Sequence, residues 1–320
     1  MPETLVCYAD GRFNGDIAPA HISETLHDPN TVVWLDIRDP NEQDIALLRE
    51  EFNFHELSLE DAVREQQRPK VEAFEGYYFI VFYAVVYQED RILTQALHLF
   101  VGPNYLVSVH RGDFRQIDET VARWRSPNSP LGKTVGALLY ALLDAIVDDY
   151  FPTMDRLTDR IEELEDAIFE QFDKTSIQTI FGLKRDLLML RRTLGPERDV
   201  VNVLLRREVP VFRPKDLVYL QDLYDHIVRL SDNIDTYRDL LSSALDSYLS
   251  LQSNRLNQIV KVLTIASIIL MSNALIAGIY GMNFEYMPEL DWQFGYPFAI
   301  GLMLFISVGL VALFKRLKWI

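Results

Sequence analysis

A single cysteine, Cys7, stands in 320 residues, so no disulfide can form within the chain. Basic residues are scarce: 31 Lys and Arg face 47 Asp and Glu, and the net charge of -16 excludes nucleic acid as a partner class. Catalytic signatures are lacking as well. There is no G-x-S-x-G, no P-loop and no H-E-x-x-H, and the six histidines, His21, His27, His55, His98, His110 and His226, show no metal-ligand spacing. An enzyme is therefore not expected. The N-terminal stretch MPETLVCYADGRFNG has neither the basic start nor the apolar core of a secretion signal, so this part of the chain is expected in a reducing cytoplasm.

Formal charge is missing from two long runs near the C-terminus. Val262 to Tyr280 and Tyr296 to Phe314 each give about 19 uncharged residues, roughly the length that crosses a hydrocarbon core of about 30 Å. A buried hairpin in a soluble core is the competing reading, but such helices carry a charged face. Two membrane helices are expected. Residues 281–295 lack Lys and Arg, whereas Arg255 and Lys261 precede the first run and Lys315, Arg316 and Lys318 follow the second. This asymmetry puts both termini in the cytoplasm and the short loop outside, in a multi-pass protein of the cell inner (plasma) membrane. The loop carries Glu285, Glu289 and Asp291, with Phe284, Tyr286, Trp292 and Phe294 suited to the interface, and reads as a mouth that collects cations.

Three domains are expected: an α/β domain over 1–130, a long-helix region over 131–258, and a membrane domain over 259–320. TVVWLDI, YYFIVFYAVVYQ, ILTQALHLFV and YLVSVH read as strands, the last two joined by a tight turn at Gly102, Pro103 and Asn104. Between the first two, DPNEQDIALLREEF predicts a helix with Asp39 as N-cap, Pro40 in the first position and Glu42 three residues after the cap. A mixed sheet with covering helices follows. Beyond residue 130 the pattern is helical: one segment from Lys133 to about Phe172, bent at Pro152 and rich in acids, and a second over about 174–207, interrupted near Gly195 and Pro196. From about Lys215 to Tyr280 there is no proline and, before Gly278, no glycine, which predicts one helix of about 65 residues and about 100 Å. So long a helix needs neighbours, and copies of itself around an axis are the simplest.

Spacings of three and four place Asp246, Leu249, Ser253, Asn257, Val260, Thr264, Ser267, Met271, Ala274 and Gly278 on one stripe of that helix. Two readings stand. The stripe is either a close-packing face of small residues or a pore lining with an apolar constriction near Val260 and Met271.

Between the two apolar runs lies YGMNFEYMPEL, Tyr280 to Leu290. This string resembles the signature of the CorA family of divalent-cation transporters, as do LEDAVREQQRPKVEAFEGYYFIVFY, DAIVDDYF, DLYDH and KVLTI elsewhere. The resemblance implies a funnel-shaped homopentameric channel with an N-terminal α/β cytoplasmic domain, long helices and two C-terminal transmembrane helices. It implies an ion filter at Gly281, Met282 and Asn283, pore and gate positions at Asp246, Asn257, Val260, Leu263 and Met271, and a regulatory metal pair, Asp61 and Asp222, between subunits. Mg2+ is then both the transported and the regulatory ion, with Co2+ beside it, and the partners are the chain's own copies and the lipid bilayer. Whether Leu263 or Thr264 faces the axis is left open by spacing. A ring of neutral Asn283 amides suits an ion that sheds its water reluctantly, and Gly281 is expected to let the chain turn where the helix ends. Ser272 and Asn273 depart from relatives that carry proline there; Asn273 is expected either to bond a neighbouring subunit or to face the pore. The alternatives are a Co2+, Ni2+ or Zn2+ transporter on the same scaffold, or a membrane-anchored signalling scaffold.

Overall fold

The computed structural model describes residues 2–8, 11–15, 22–64, 67–88, 91–126, 132–170, 174–206, 211–212, 216–285, 287–289 and 291–319. In chain order the elements are β1 (Glu3–Cys7), β2 (Phe13–Asn14), α1 (Ile22–Leu26), β3 (Val32–Arg38), α2 (Glu42–Phe52), α3 (Glu56–Val63), β4 (Lys70–Phe74), β5 (Tyr77–Gln88), β6 (Arg91–Val101) and β7 (Tyr105–His110). Helices follow: α4 (Arg115–Arg125), α5 (Val135–Asp148), α6 (Tyr150–Glu170), α7 (Lys174–Leu205), α8 (Leu217–Tyr280) and α9 (Gly295–Arg316). They form two compact units, Met1–Ser243 and Ala244–Ile320.

The first unit holds a mixed seven-stranded sheet in the order β2-β1-β3-β7-β6-β5-β4. β3 and β7 pair in parallel, Leu35 beside Val107, and the other ladders are antiparallel. One face is sealed by α2 and α3: Leu48, Phe54 and Leu59 pack with Val33, Leu35, Phe79 and Phe100, and the Phe54 and Phe100 rings stack at 4.2 Å. On the other side, the Trp34 indole donates to Ser108 Oγ at 2.9 Å, and α5 lies against β5 and β7.

Several boundaries differ from the expectation. The N-cap of α2 is Asn41, not Asp39: Asn41 Oδ1 accepts from the amides of Gln43 and Asp44, and the Asp44 carboxylate takes the Asn41 amide in return. Asp39 instead sits at φ 52° and accepts from Gly112 N, tying the β3 end to the β7 end. The expected bend at Pro152 falls at Asp149, ahead of the proline, which then occupies the first turn of α6, where its missing donor costs nothing. Helix α7 runs unbroken through Pro196, because buried Leu194, Glu197, Val200 and Val201 hold both flanks in place. Phe172, Arg207 and Lys215, expected helix ends, lie outside the described residues.

Glu197 is wholly buried. Its Oε1 accepts from Tyr83 N at 3.0 Å, and the Tyr150 hydroxyl lies 3.3 Å from Oε2 while donating to the Tyr83 carbonyl at 3.1 Å. Burial raises this carboxyl well above its ordinary value of 4.5 and so favours its protonated form, which can donate to the Tyr150 oxygen. The folded state then holds a proton that the unfolded chain releases. Stability is full below about pH 4.5 and falls by about 1.4 kcal/mol per pH unit as pH rises toward the folded pKa. Glu197→Gln keeps the shape without the proton, so its urea-unfolding free energy should vary less with pH than wild type as pH rises above the ordinary value of 4.5. Parallel curves would mean that Glu197 is ionised in the fold.

Candidate ion pathway and metal centre

The second unit contains the C-terminal part of α8 and all of α9, each with a window apolar enough to cross a membrane. Ile265 and Ile276 are buried, and the Asn273 amide exchanges hydrogen bonds with Ser307 Oγ on α9, at 3.0 and 3.3 Å. These residues mark the face of α8 that meets α9. Asn273 therefore bonds its own chain's second apolar helix, which neither expectation foresaw. Ser272 Oγ returns to the Ile268 carbonyl at 2.8 Å, and α8 passes through both positions without a break.

At 100° per residue, the stripe from Asp246 to Gly278 lies on the opposite face of α8. Among the described residues little covers it: Asp246, Asn257, Val260 and Met271 are exposed, Met271 at 72%. Leu263 is exposed and Thr264 half-buried. Met271, Val260 and Leu263 are large apolar side chains left mostly exposed, on a helix that carries small and polar residues between them. Such a face needs either lipid, a second copy or water.

At the end of α8, Gly281 N donates to the Ala277 carbonyl at 2.9 Å and Met282 N to Ile279 at 3.3 Å. Gly281 does not take the left-handed conformation expected of a helix-ending glycine. Its role is spatial: a Cβ there would meet the Ala277 oxygen at 3.0 Å. Gly281, Met282 and Asn283 are all exposed, as are Glu285 and Asp291 in the same loop. Trp292 packs edge-on to Phe294 at 6.1 Å. Tyr286 lies outside the described residues.

In the first unit, Asp61 and Asp222 keep separate company within one chain. Asp61, on α3, receives Lys70 Nζ at 2.6 Å, and Arg64 stands at 4.0 Å. Burial opposes its ionisation, yet the hydrogen bonds from Lys70 and Gln67 prevail and hold the carboxyl below the usual range. Asp222, on α8, is 62% exposed, 3.8 Å from His226 Nε2. Around His226 the fold assembles a group that the sequence reading passed over. Asp144 and Asp148 of α5 and His226 of α8 each place a ligand atom within 4.8 Å of the others. Burial and the neighbouring Asp148 raise the Asp144 carboxyl, and burial with the charges of Asp144, Asp222 and Asp148 raises the Tyr140 hydroxyl. His226 Nδ1 is buried with no hydrogen-bond partner among the described residues, and its ring stands edge-on to Phe151. Two carboxylates and one imidazole, with Asp222 adjacent, fit a divalent cation: the oxygens suit Mg2+ and the imidazole suits Co2+. The signal was present as two i,i+4 pairs, Asp144 with Asp148 and Asp222 with His226, on helices far apart in sequence.

Residues 29–316 match the CorA family, described as CorA-like Mg2+ transporter protein. A cobalt/magnesium transport protein CorA of Thermotoga maritima is 38% identical over 299 residues, 92% of this chain and 85% of that protein. One of Methanocaldococcus jannaschii is 31% identical over 309 residues, 96% of this chain and 97% of that protein. The complete structure of the CorA magnesium transporter from Methanocaldococcus jannaschii shares the fold with a TM-score of 0.87 at 28% identity, over 100% of this chain and 99% of that one. That structural match covers the N-terminal α/β sheet, the long helices and the two C-terminal apolar helices together. With the match spanning nearly all of its length, this chain belongs to the CorA-like Mg2+ transporter family, and is a membrane transporter rather than an enzyme.

Proposed function

We propose that five copies of this chain assemble around the bare stripe of α8 and pass hydrated Mg2+ into the cytoplasm. The observation that carries this reading is the uncovered stripe itself, which faces away from α9 and leads to the exposed Gly281, Met282 and Asn283. Asn283 amides at the mouth hold the ion through its water shell, while Glu285 and Asp291 concentrate cations nearby. Val260, Leu263 and Met271 form a dry constriction, with Asn257 and Asp246 below it. Both termini lie in the cytoplasm of an inner (plasma) membrane protein, with residues 1–130 and 131–258 on that side and 259–320 in the bilayer. Cytoplasmic Mg2+, bound by Asp144, Asp148, His226 and Asp222 and across subunits with Asp61, holds the assembly closed. Co2+ is a second cargo, favoured by the imidazole at the metal group and by the names of the two relatives.

Purified protein in liposomes loaded with a Mg2+ indicator should show saturable Mg2+ influx that Co2+ competes with. Liposomes that stay as tight as empty ones, with the protein correctly assembled, would sink the reading.

A further inference from the structure

Apart from the ion pathway, a cavity of about 1140 Å3 opens on the first unit, between the sheet, the end of α3 and α7. Its rim carries four arginines, Arg64, Arg68, Arg111 and Arg192, and no carboxylate stands among the described lining residues. In a chain of net charge -16, such a concentration of one sign is unexpected. Arg64 is engaged by Glu60, but Arg68 and Arg192 make no ion pair with any described residue. The wall holds two histidines, His98 and His110, each only 4% exposed. Both ring nitrogens of His98 and Nδ1 of His110 have no hydrogen-bond partner among the described residues. Buried polar atoms left so are costly and call for a ligand group or water. Burial holds the His98 pKa down to about 4; the Val109 carbonyl opposes that shift without completing a hydrogen bond. The neutral ring still offers one N–H.

Size and chemistry together define the ligand. Arginine forks match phosphate oxygens in pairs, and a cavity this large holds more than one phosphate. Tyr83, the aromatic side chain among the described lining residues, is buried with its hydroxyl donated to the Gln67 carbonyl at 2.6 Å, so no open ring waits for a base. We propose that this cavity binds an oligophosphate, either free polyphosphate or the phosphate chain of a nucleotide, through Arg68 and Arg192 at the rim and the one N–H of the neutral His98 ring within; His110 directs its own N–H to Asp36. Arg64, Arg68 and Lys70 share one short segment with Asp61, so an occupant would bear on the Lys70 to Asp61 contact.

The test is calorimetry on the full chain in detergent, freed of divalent ions, with tripolyphosphate, ATP and inorganic phosphate as separate probes. Tripolyphosphate should bind, more weakly as salt rises, and ATP no tighter. Inorganic phosphate should bind far more weakly. Arg68→Gln/Arg192→Gln should weaken tripolyphosphate about tenfold to a hundredfold, Arg68→Lys/Arg192→Lys should restore part of it, and Arg185→Gln, away from the cavity, should change nothing. Melting curves and size-exclusion elution establish that each variant folds and assembles. The proposal is overturned by absence of tripolyphosphate binding, by binding of ATP alone, or by an equal loss in Arg185→Gln. A double variant that alters only the oligomeric state also overturns it, and makes the arginines a contact between copies.

Discussion

Asn283→Asp is expected to lower Mg2+ influx into liposomes by at least about tenfold while the ion binds more tightly. Asn283 is exposed just beyond the last backbone bonds of α8, with Glu285 two residues on. A neutral amide holds the water shell of the ion without adding charge. A ring of carboxylates at that point attracts the ion directly, deepens the site and slows its exit, because conduction requires binding weak enough to leave. Asn283→Gln retains the amide on a longer stem and should retain part of the flux. Wild-type influx in Asn283→Asp, with normal assembly, would remove the residue from the filter.

Neutralising the metal group should produce the second large effect. Asp148→Asn combined with Asp222→Asn is expected to raise the cytoplasmic Mg2+ needed for half-inhibition by about tenfold or more, since in the proposed sensor each replaces a carboxylate by a more weakly coordinating amide. Both side chains are exposed, so the substitutions leave the core intact. Regulation of this kind depends on the difference in ion affinity between two states, and removing ligands shrinks that difference. Asp61→Asn should shift the curve less, because Lys70 already neutralises that carboxylate. Liposome flux or patch current measured against cytoplasmic Mg2+ decides the matter. An inhibition curve superimposed on wild type would take Asp148 and Asp222 out of the sensor.

Where chemistry is local, the sequence was readable. The β5, β6 and β7 runs and the charge-free spans announce themselves through side-chain type alone, and the structure holds them at nearly the expected bounds. The glycine, methionine and asparagine after α8 were singled out by the family resemblance of their string, not by side-chain type. What depends on distant segments was not. The α2 cap was misplaced because Asp39 and Asn41 are equally good caps until Gly112 claims Asp39. Pro196 looked like a helix breaker, since nothing nearby reveals the burial on either side. The metal group joins α5 to α8, and the charged cavity joins α3, the sheet and α7. No spacing rule relates residues that only tertiary structure brings together.

The Asn273 to Ser307 bond also bears on how the protein is made. An asparagine side chain left alone in hydrocarbon carries unsatisfied donors and acceptors that cost free energy at every moment of exposure. Its partner lies on the next span of the same polypeptide, so both can meet as soon as α9 enters the bilayer, before any second subunit is at hand. Satisfying Asn273 therefore requires no second subunit: the α8–α9 hairpin of a single chain already supplies its partner.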